Sequence, residues 1–362
     1  MTLRSLSYTL VKASNPLDVQ KYGINIGAGN QPGFNYRDLV HKLAATGVKW
    51  AYVPVFWSWL EPNGTGTTYS GPFAERYHDY DTVSLAQLDQ TICSLHTWGI
   101  EPVIQLRSQP SWASGSPGNV LAAGSPPSFG QILNTHKAVF RANFADLAYF
   151  LAGRYPSVMH WAIGNEINLD YYFSPQPPLL DDSPAVEYMD LMFMPADTAI
   201  RGRNRNASVY GAELFTCYNT GSDCPNHDHN WDYNTNWLVD WAEVLLTRFP
   251  QCFPRFSVHN YSDTGAGVLA ALGALKGLME RIGVVRPIWI TEFNFQSGTC
   301  KNTAEQIAGW TCQVYSEMNC ERAFSFDLNS HGWFSLLDPQ ANPKPVLYQA
   351  FQEIVAGSFR CG

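Results

Sequence analysis

The chain has 362 residues, 45% apolar and only 15% charged, with a formal net charge of -8. That composition supplies a large core and excludes disorder, and the acidic balance excludes a nucleic-acid surface, which needs clustered Lys and Arg. No run of eighteen apolar residues occurs, so no helical membrane span is expected. Twelve Trp, eighteen Tyr and twenty Phe are available either for packing or as platforms for sugar rings.

Taken in order, Tyr22-Gly-Ile-Asn-Ile-Gly reads as a first strand, with the preceding segment expected to close a barrel floor. Helical spacing over Tyr36 to Thr46 stops at Gly47, and Val48 to Phe56 reads as strand two. A helix over Val83 to Trp98 stops at Gly99, before strand three at Ile100 to Leu106. Gln131 to Arg154 is helical. The apolar run Trp161-Ala-Ile then gives strand four, broken off by Gly164-Asn165-Glu166.

The alternation continues to the end of the chain. A helix over Asp182 to Gly202 precedes strand five at Ser208 to Glu213. A helix over Asn236 to Phe249 precedes strand six at Arg255 to Tyr261. Helix Gly265 to Ile282 leads to strand seven, Val285 to Glu292, and helix Thr303 to Met318 leads to strand eight, Ala323 to Leu328. Pro345 to Val355 is the closing helix. Eight strands alternating with helices, with long loops after the strands, predict an α/β fold: a (β/α)8 TIM barrel. No composition break divides residues 1–362, so a single domain is expected, the barrel proper spanning about 22–355.

Two strands in this pattern end in glutamate, Glu166 and Glu292. Strand ends collect chemistry in such barrels, because the loops leaving them form the cleft. Paired carboxylates there suit glycosidic hydrolysis, one donating a proton to the leaving oxygen and the other attacking the anomeric carbon. Asn165 is placed to donate to a sugar hydroxyl, and Tyr261 to donate to Glu292 and keep it ionised. Glu213 also ends a strand, and Asp327 lies on strand eight; sugar binding or loop bracing suits both. His227-Asp-His229 sits in a loop rich in Asn and Asp and reads as solvated, so no metal and no cofactor are expected.

The motifs Gly164-Asn165-Glu166, Thr291-Glu292-Phe293 and His259-Asn-Tyr261 resemble glycoside hydrolase clan A. Trp57-Ser-Trp-Leu-Glu-Pro62 is similar to that clan's family 39 and related family 5 members, and Gly332 to Asp338 resembles its strand-eight ending. The resemblance runs from residue 22 to about 351. It implies Glu166 as acid/base, Glu292 as nucleophile, and His259 as a site residue beside them. Trp57, Trp112 and Trp333 follow strands two, three and eight, where they serve either as stacking platforms for a pyranose or as core. One departure stands out: many relatives carry an arginine on strand two that supports the nucleophile, where this chain has Tyr52. Arg107 is a candidate replacement.

These readings imply a retaining glycoside hydrolase acting on an equatorial bond in an oligo- or polysaccharide. The alternatives are a transglycosylase on the same residues and a carbohydrate-binding barrel without turnover. Met1 to Leu6 gives no signal-peptide core, whereas eight cysteines favour a secreted protein whose leader lies outside this numbering. Cys217 and Cys224 bracket a short polar loop and are expected to bond. Cys312 and Cys320 on one helix are too far apart to bond each other, roughly 12 Å at the helical rise.

Overall fold

The structure, a computed structural model, describes residues 21–27, 29–31, 35–63, 78–115, 132–169, 172–173, 183–216, 235–262, 264–295, 302–318, 320–326, 328, 335–338 and 340–360. Eight parallel strands close into a barrel in chain order. They are β1 (Tyr22–Asn25), β2 (Trp50–Phe56), β3 (Glu101–Arg107), β4 (His160–Ile163), β5 (Ser208–Thr216), β6 (Phe256–Ser262), β7 (Ile288–Phe295) and β8 (Arg322–Phe326). β8 pairs with β1 in parallel, which closes the ring. The fold is the expected (β/α)8 barrel.

Helices fill the connections: α1 (Tyr36–Ala44), α2 (Trp57–Leu60), α3 (Thr82–Thr97), α4 (Ser111–Ser114), α5 (Lys137–Arg154), α6 (Ser183–Tyr188), α7 (Met194–Arg203), α8 (Thr235–Arg248), α9 (Gly265–Ile282), α10 (Ala304–Glu317) and α11 (Pro345–Val355). A single π-helical turn, Met189–Phe193, joins α6 to α7. The sequence marks the starts of several. Asp81 accepts from the Ser84 amide at 2.7 Å to cap α3. Thr303 and Gln306 cap α10 reciprocally, satisfying two amides that the first turn leaves without helical partners.

Boundaries differ from the sequence reading mainly at β7. The expected strand began at Val285; the observed one begins at Ile288 and runs on to Phe295, past Glu292. The residues between Gly283 and Ile288 include Pro287, which has no amide to give a ladder, so pairing starts after it.

Strands β6 and β7 are buried along their whole length, as a strand covered on both faces must be. Tyr52, Val103, Ala162, Tyr210, Trp289 and Phe324 fill the lower barrel as one cluster. Trp161 and Trp289, expected to pack, are 0% and 1% exposed. Much of the aromatic content is thus core.

Cys93, Cys252 and Cys320 are free thiols, so Cys312 and Cys320 are not bonded to each other. The first twenty residues and Cys217, Cys224, His227, His229, Asp327 and Trp333 lie outside the described residues. Among the described residues no helix is long and apolar enough to cross a membrane.

Candidate active site

β4 delivers Glu166 through an abrupt turn. Gly164 takes φ +88° and Glu166 φ +45°, both left-handed, so the chain doubles back as the strand ends. The turn is braced by the Gly164 amide donating to Leu106 O at 2.9 Å. Gln105 Nε2 donates to Gly164 O at 2.8 Å and to Asn165 Oδ1 at 3.0 Å. Glu292 arrives from inside β7, opposite, where its neighbours Thr291 and Phe293 are also buried.

Glu292 accepts hydrogen bonds from Asn25 Nδ2 at 2.9 Å and from the Tyr261 hydroxyl, and Arg107 Nη1 stands 3.9 Å away. Burial pushes its carboxyl above the usual range, and the charge of Glu166 adds to this. The positive charges of His259 and Arg107 and the Tyr261 hydrogen bond hold it back.

His259 lies wholly buried among three carboxylates. Its Nδ1 is 2.9 Å from Glu166 Oε1 and 3.4 Å from Glu292 Oε2, and its Nε2 is 2.9 Å from Glu213 Oε2. Burial opposes charge on the ring, but Glu292, Glu166 and Glu213 together carry its pKa up to about 10. One ligating atom from each of Glu166, His259 and Glu292 lies within 4.8 Å of the others. A cation there would have to displace the hydrogen bond between His259 Nδ1 and Glu166 Oε1. The site can therefore hold two carboxylates close together, deliver a proton from one, and keep the other fixed for attack.

Residues 218–325 match the sequence model of the glycosyl hydrolase catalytic core. No curated protein matches the chain in sequence. Solved structures share its fold at low identity. A family 39 glycoside hydrolase from the gut symbiont Bacteroides cellulosilyticus superposes with TM-score 0.61 at 17% identity over 96% of this chain, which spans 65% of that longer one. A hyperthermophilic β-glucosidase from Pyrococcus furiosus gives 0.60 at 12% identity, over 95% of this chain and 96% of that one. An endo-β-1,4-mannanase from Thermotoga petrophila gives 0.58 at 15%, over 95% and 77%.

The fold brings Asn165, Glu166, His259, Tyr261 and Glu292 to one end of the barrel. Trp57 is no platform. It is 0% exposed, its ring packed by Trp112, Phe140 and Phe144, and its Nε1 donates to Glu61 Oε2 at 3.0 Å. The reason is local: α2 begins at Trp57 and turns the indole back toward α5. Trp112 is half-buried against Trp57, its Nε1 donating to Glu61 O at 2.7 Å. His259 does not face a sugar either, since it is fully covered by the three glutamates. Sequence reasoning left out Asn25, which ends β1 as the short amide that reaches Glu292. Its position at a strand end was the available signal.

Proposed function

We propose that this glycosidase hydrolyses an equatorial glycosidic bond in an oligo- or polysaccharide with retention, Glu166 acting as acid/base and Glu292 as nucleophile. One observation carries the reading: an oxygen of each carboxylate lies within 4.8 Å of the other across the cleft. Retaining enzymes hold their carboxyls about 5–5.5 Å apart, whereas inverting ones leave about 6.5–9.5 Å for a water. In the first step Glu292 bonds to the anomeric carbon while Glu166 protonates the departing oxygen. Water then attacks that carbon, Glu166 takes its proton, and Glu292 leaves. The names of two similar structures, β-glucosidase and endo-β-1,4-mannanase, support a β-linked substrate.

The test is the anomer first released, read by proton NMR before mutarotation, across aryl β-glycosides and plant polysaccharides. The β-anomer is expected; an α-anomer would overturn the reading. Glu292→Ala should abolish turnover on every substrate. Glu166→Ala should still form the glycosyl-enzyme from activated aryl glycosides and be rescued by azide to a β-glycosyl azide. Transglycosylation on the same residues would appear in this assay as lengthened products. We also place the protein in a secreted, oxidising setting, which the disulfide-bonded state of Cys312 supports. The Cys217–Cys224 bond belongs to that proposal, and peptide mass after non-reducing alkylation tests it.

A further inference from the structure

Glu213 is a buried carboxylate beside the catalytic pair that the two-glutamate mechanism does not use. It sits on β5 at φ +52°, where the β5–β6 register shifts between Gly211 and Leu214. An irregularity of this kind re-aims a side chain, and here it turns the carboxylate into the barrel. Glu213 is 0% exposed and beneath His259, so no substrate reaches it. Its Oε2 accepts from the Thr291 hydroxyl and faces His259 Nε2 at 2.9 Å.

The geometry favours a charged ring. A neutral imidazole carries one N–H, and its other nitrogen presents a lone pair. His259 has a carboxylate oxygen 2.9 Å from each nitrogen. A neutral ring protonated at Nε2 could only accept at Nδ1, which would tie up the proton of Glu166; a doubly protonated ring donates at both ends and leaves that proton for the leaving group.

We infer that Glu213 is a positioning residue acting through His259: as its counter-ion it keeps the imidazole a double donor, so that one ring holds Glu166 and Glu292 in place. The inference rests on the roles proposed for those two glutamates. The groups facing the ring are Glu166 from β4, Glu213 from β5 and Glu292 from β7. Glu213 has Tyr52 of β2, Tyr188 of α6 and Tyr210 of its own strand about it, all raised by burial first and by its charge, and so neutral. Tyr52 Oη and Glu213 Oε1 close no regular hydrogen bond with each other. Arg107 and Tyr261 stand on the far side, at Glu292. Glu213 thus balances the cation from below, so that the ring orients the catalytic pair without an uncompensated positive charge drawing the proton off the acid.

The experiment follows the ring and the rate together in the wild type and in Glu213→Gln. Nitrogen-15 NMR of wild-type His259 should show two N–H groups through pH 8. In Glu213→Gln the ring should lose a proton at least about one pH unit lower, the size of effect an opposite charge exerts at this range. The alkaline limb of kcat/KM, which reports loss of the acid's proton, should move down by about one pH unit with KM little changed. Glu213→Asp should restore much of both. A merely structural carboxylate would lower stability and leave the profile where it was. Superposable titrations and profiles for Glu213→Gln would overturn the inference, as would a singly protonated His259 in the wild type at pH 7. The wild-type spectrum suffices if the variant does not fold. Because it needs no turnover, it stands even if Glu292→Ala were to stay active and the proposed roles fell.

Discussion

Glu292 accepts hydrogen bonds from Asn25 of β1 and Tyr261 of β6, and lies within ion-pair range of Arg107 of β3 and His259 of β6. We propose that Arg107 takes the duty that the resemblance assigns to a strand-two arginine, since its Nη1 stands 3.9 Å from Glu292. The β2–β3 register explains the exchange. Tyr52 pairs with Val103, deep in the barrel, whereas Arg107 pairs with Phe56 at the upper rim. Its guanidinium lies over the rings of Phe56 and Tyr172, at 5.1 and 5.3 Å, and stays charged. Arg107→Lys keeps the charge but loses the flat stacking surface. It should lower kcat/KM by about 10-fold with little change in melting temperature, since a desolvated contact between a guanidinium and aromatic rings is worth up to about 2 kcal/mol. Tyr261→Phe tests a different contact. Its hydrogen bond lowers the pKa of Glu292, so its loss must raise it further. As the nucleophile proposed above, Glu292 would attack only when ionised, and the acid limb of kcat/KM should therefore move to higher pH. An unmoved limb would remove Tyr261 from that role. Glu166, Glu292 and Tyr261 were legible in sequence because strand ends and motif order point to them. The link from Glu213 through His259 was not, because register shifts at Gly211 to Leu214 and at Val258 to His259 bring those side chains together. No single-strand pattern records such a shift.

At the scale of elements, the existence and order of strands and helices were readable from alternating apolar runs and cap residues. Their ends were less so. Short helices such as α2 escaped notice because four residues give no period, and Trp57 was consequently available for misreading as a platform. Two glycines separate backbone cost from functional cost. Gly283 follows α9 at φ +69°, and a Cβ there meets nothing within 4 Å. Gly164 takes φ +88°, and a Cβ there would lie 2.9 Å from Ile167 Cγ2 and 3.2 Å from Tyr188 Cε2. Gly283→Ala should cost about 1 kcal/mol of stability, from the left-handed backbone alone, with activity unchanged. Gly164→Ala should cost more and also shift Glu166, lowering kcat while Gly283→Ala does not. Chemical denaturation and steady-state kinetics on the pair check this, and equal losses in both variants would show that the Gly164 turn does not position the acid.

At the scale of the whole molecule, three histidines, His259 fully buried and His78 and His160 partly so, set how stability depends on pH, and they sit at opposite ends of the barrel. At the mouth, His259 is carried up to about 10 by its three glutamates against the cost of burial. His78 bridges Glu61 at 2.8 Å and Asp146 at 3.4 Å, and these raise it to about 9, again against burial. At the floor, His160 packs against Trp50 and Trp289. Burial and then the charges of Arg255 and Arg322 bring it down to about 4. An unfolded histidine titrates near about 6.5. For His259 and His78 the folded state holds the proton more tightly, so their contribution is full below about 6.5 and is lost as pH rises through about 9 to 10. For His160 the unfolded chain takes up the proton first, so stability falls as pH drops from about 6.5 toward 4. Together they predict a maximum in melting temperature near pH 6.5, with alkali loosening the mouth and acid loosening the floor. Calorimetry from pH 4 to 10 should show that dome. His160→Gln has no proton to gain on unfolding and should flatten the acid side while leaving the alkaline side as it was. An acid slope unchanged in that variant would show that carboxylates, and not His160, govern acid stability.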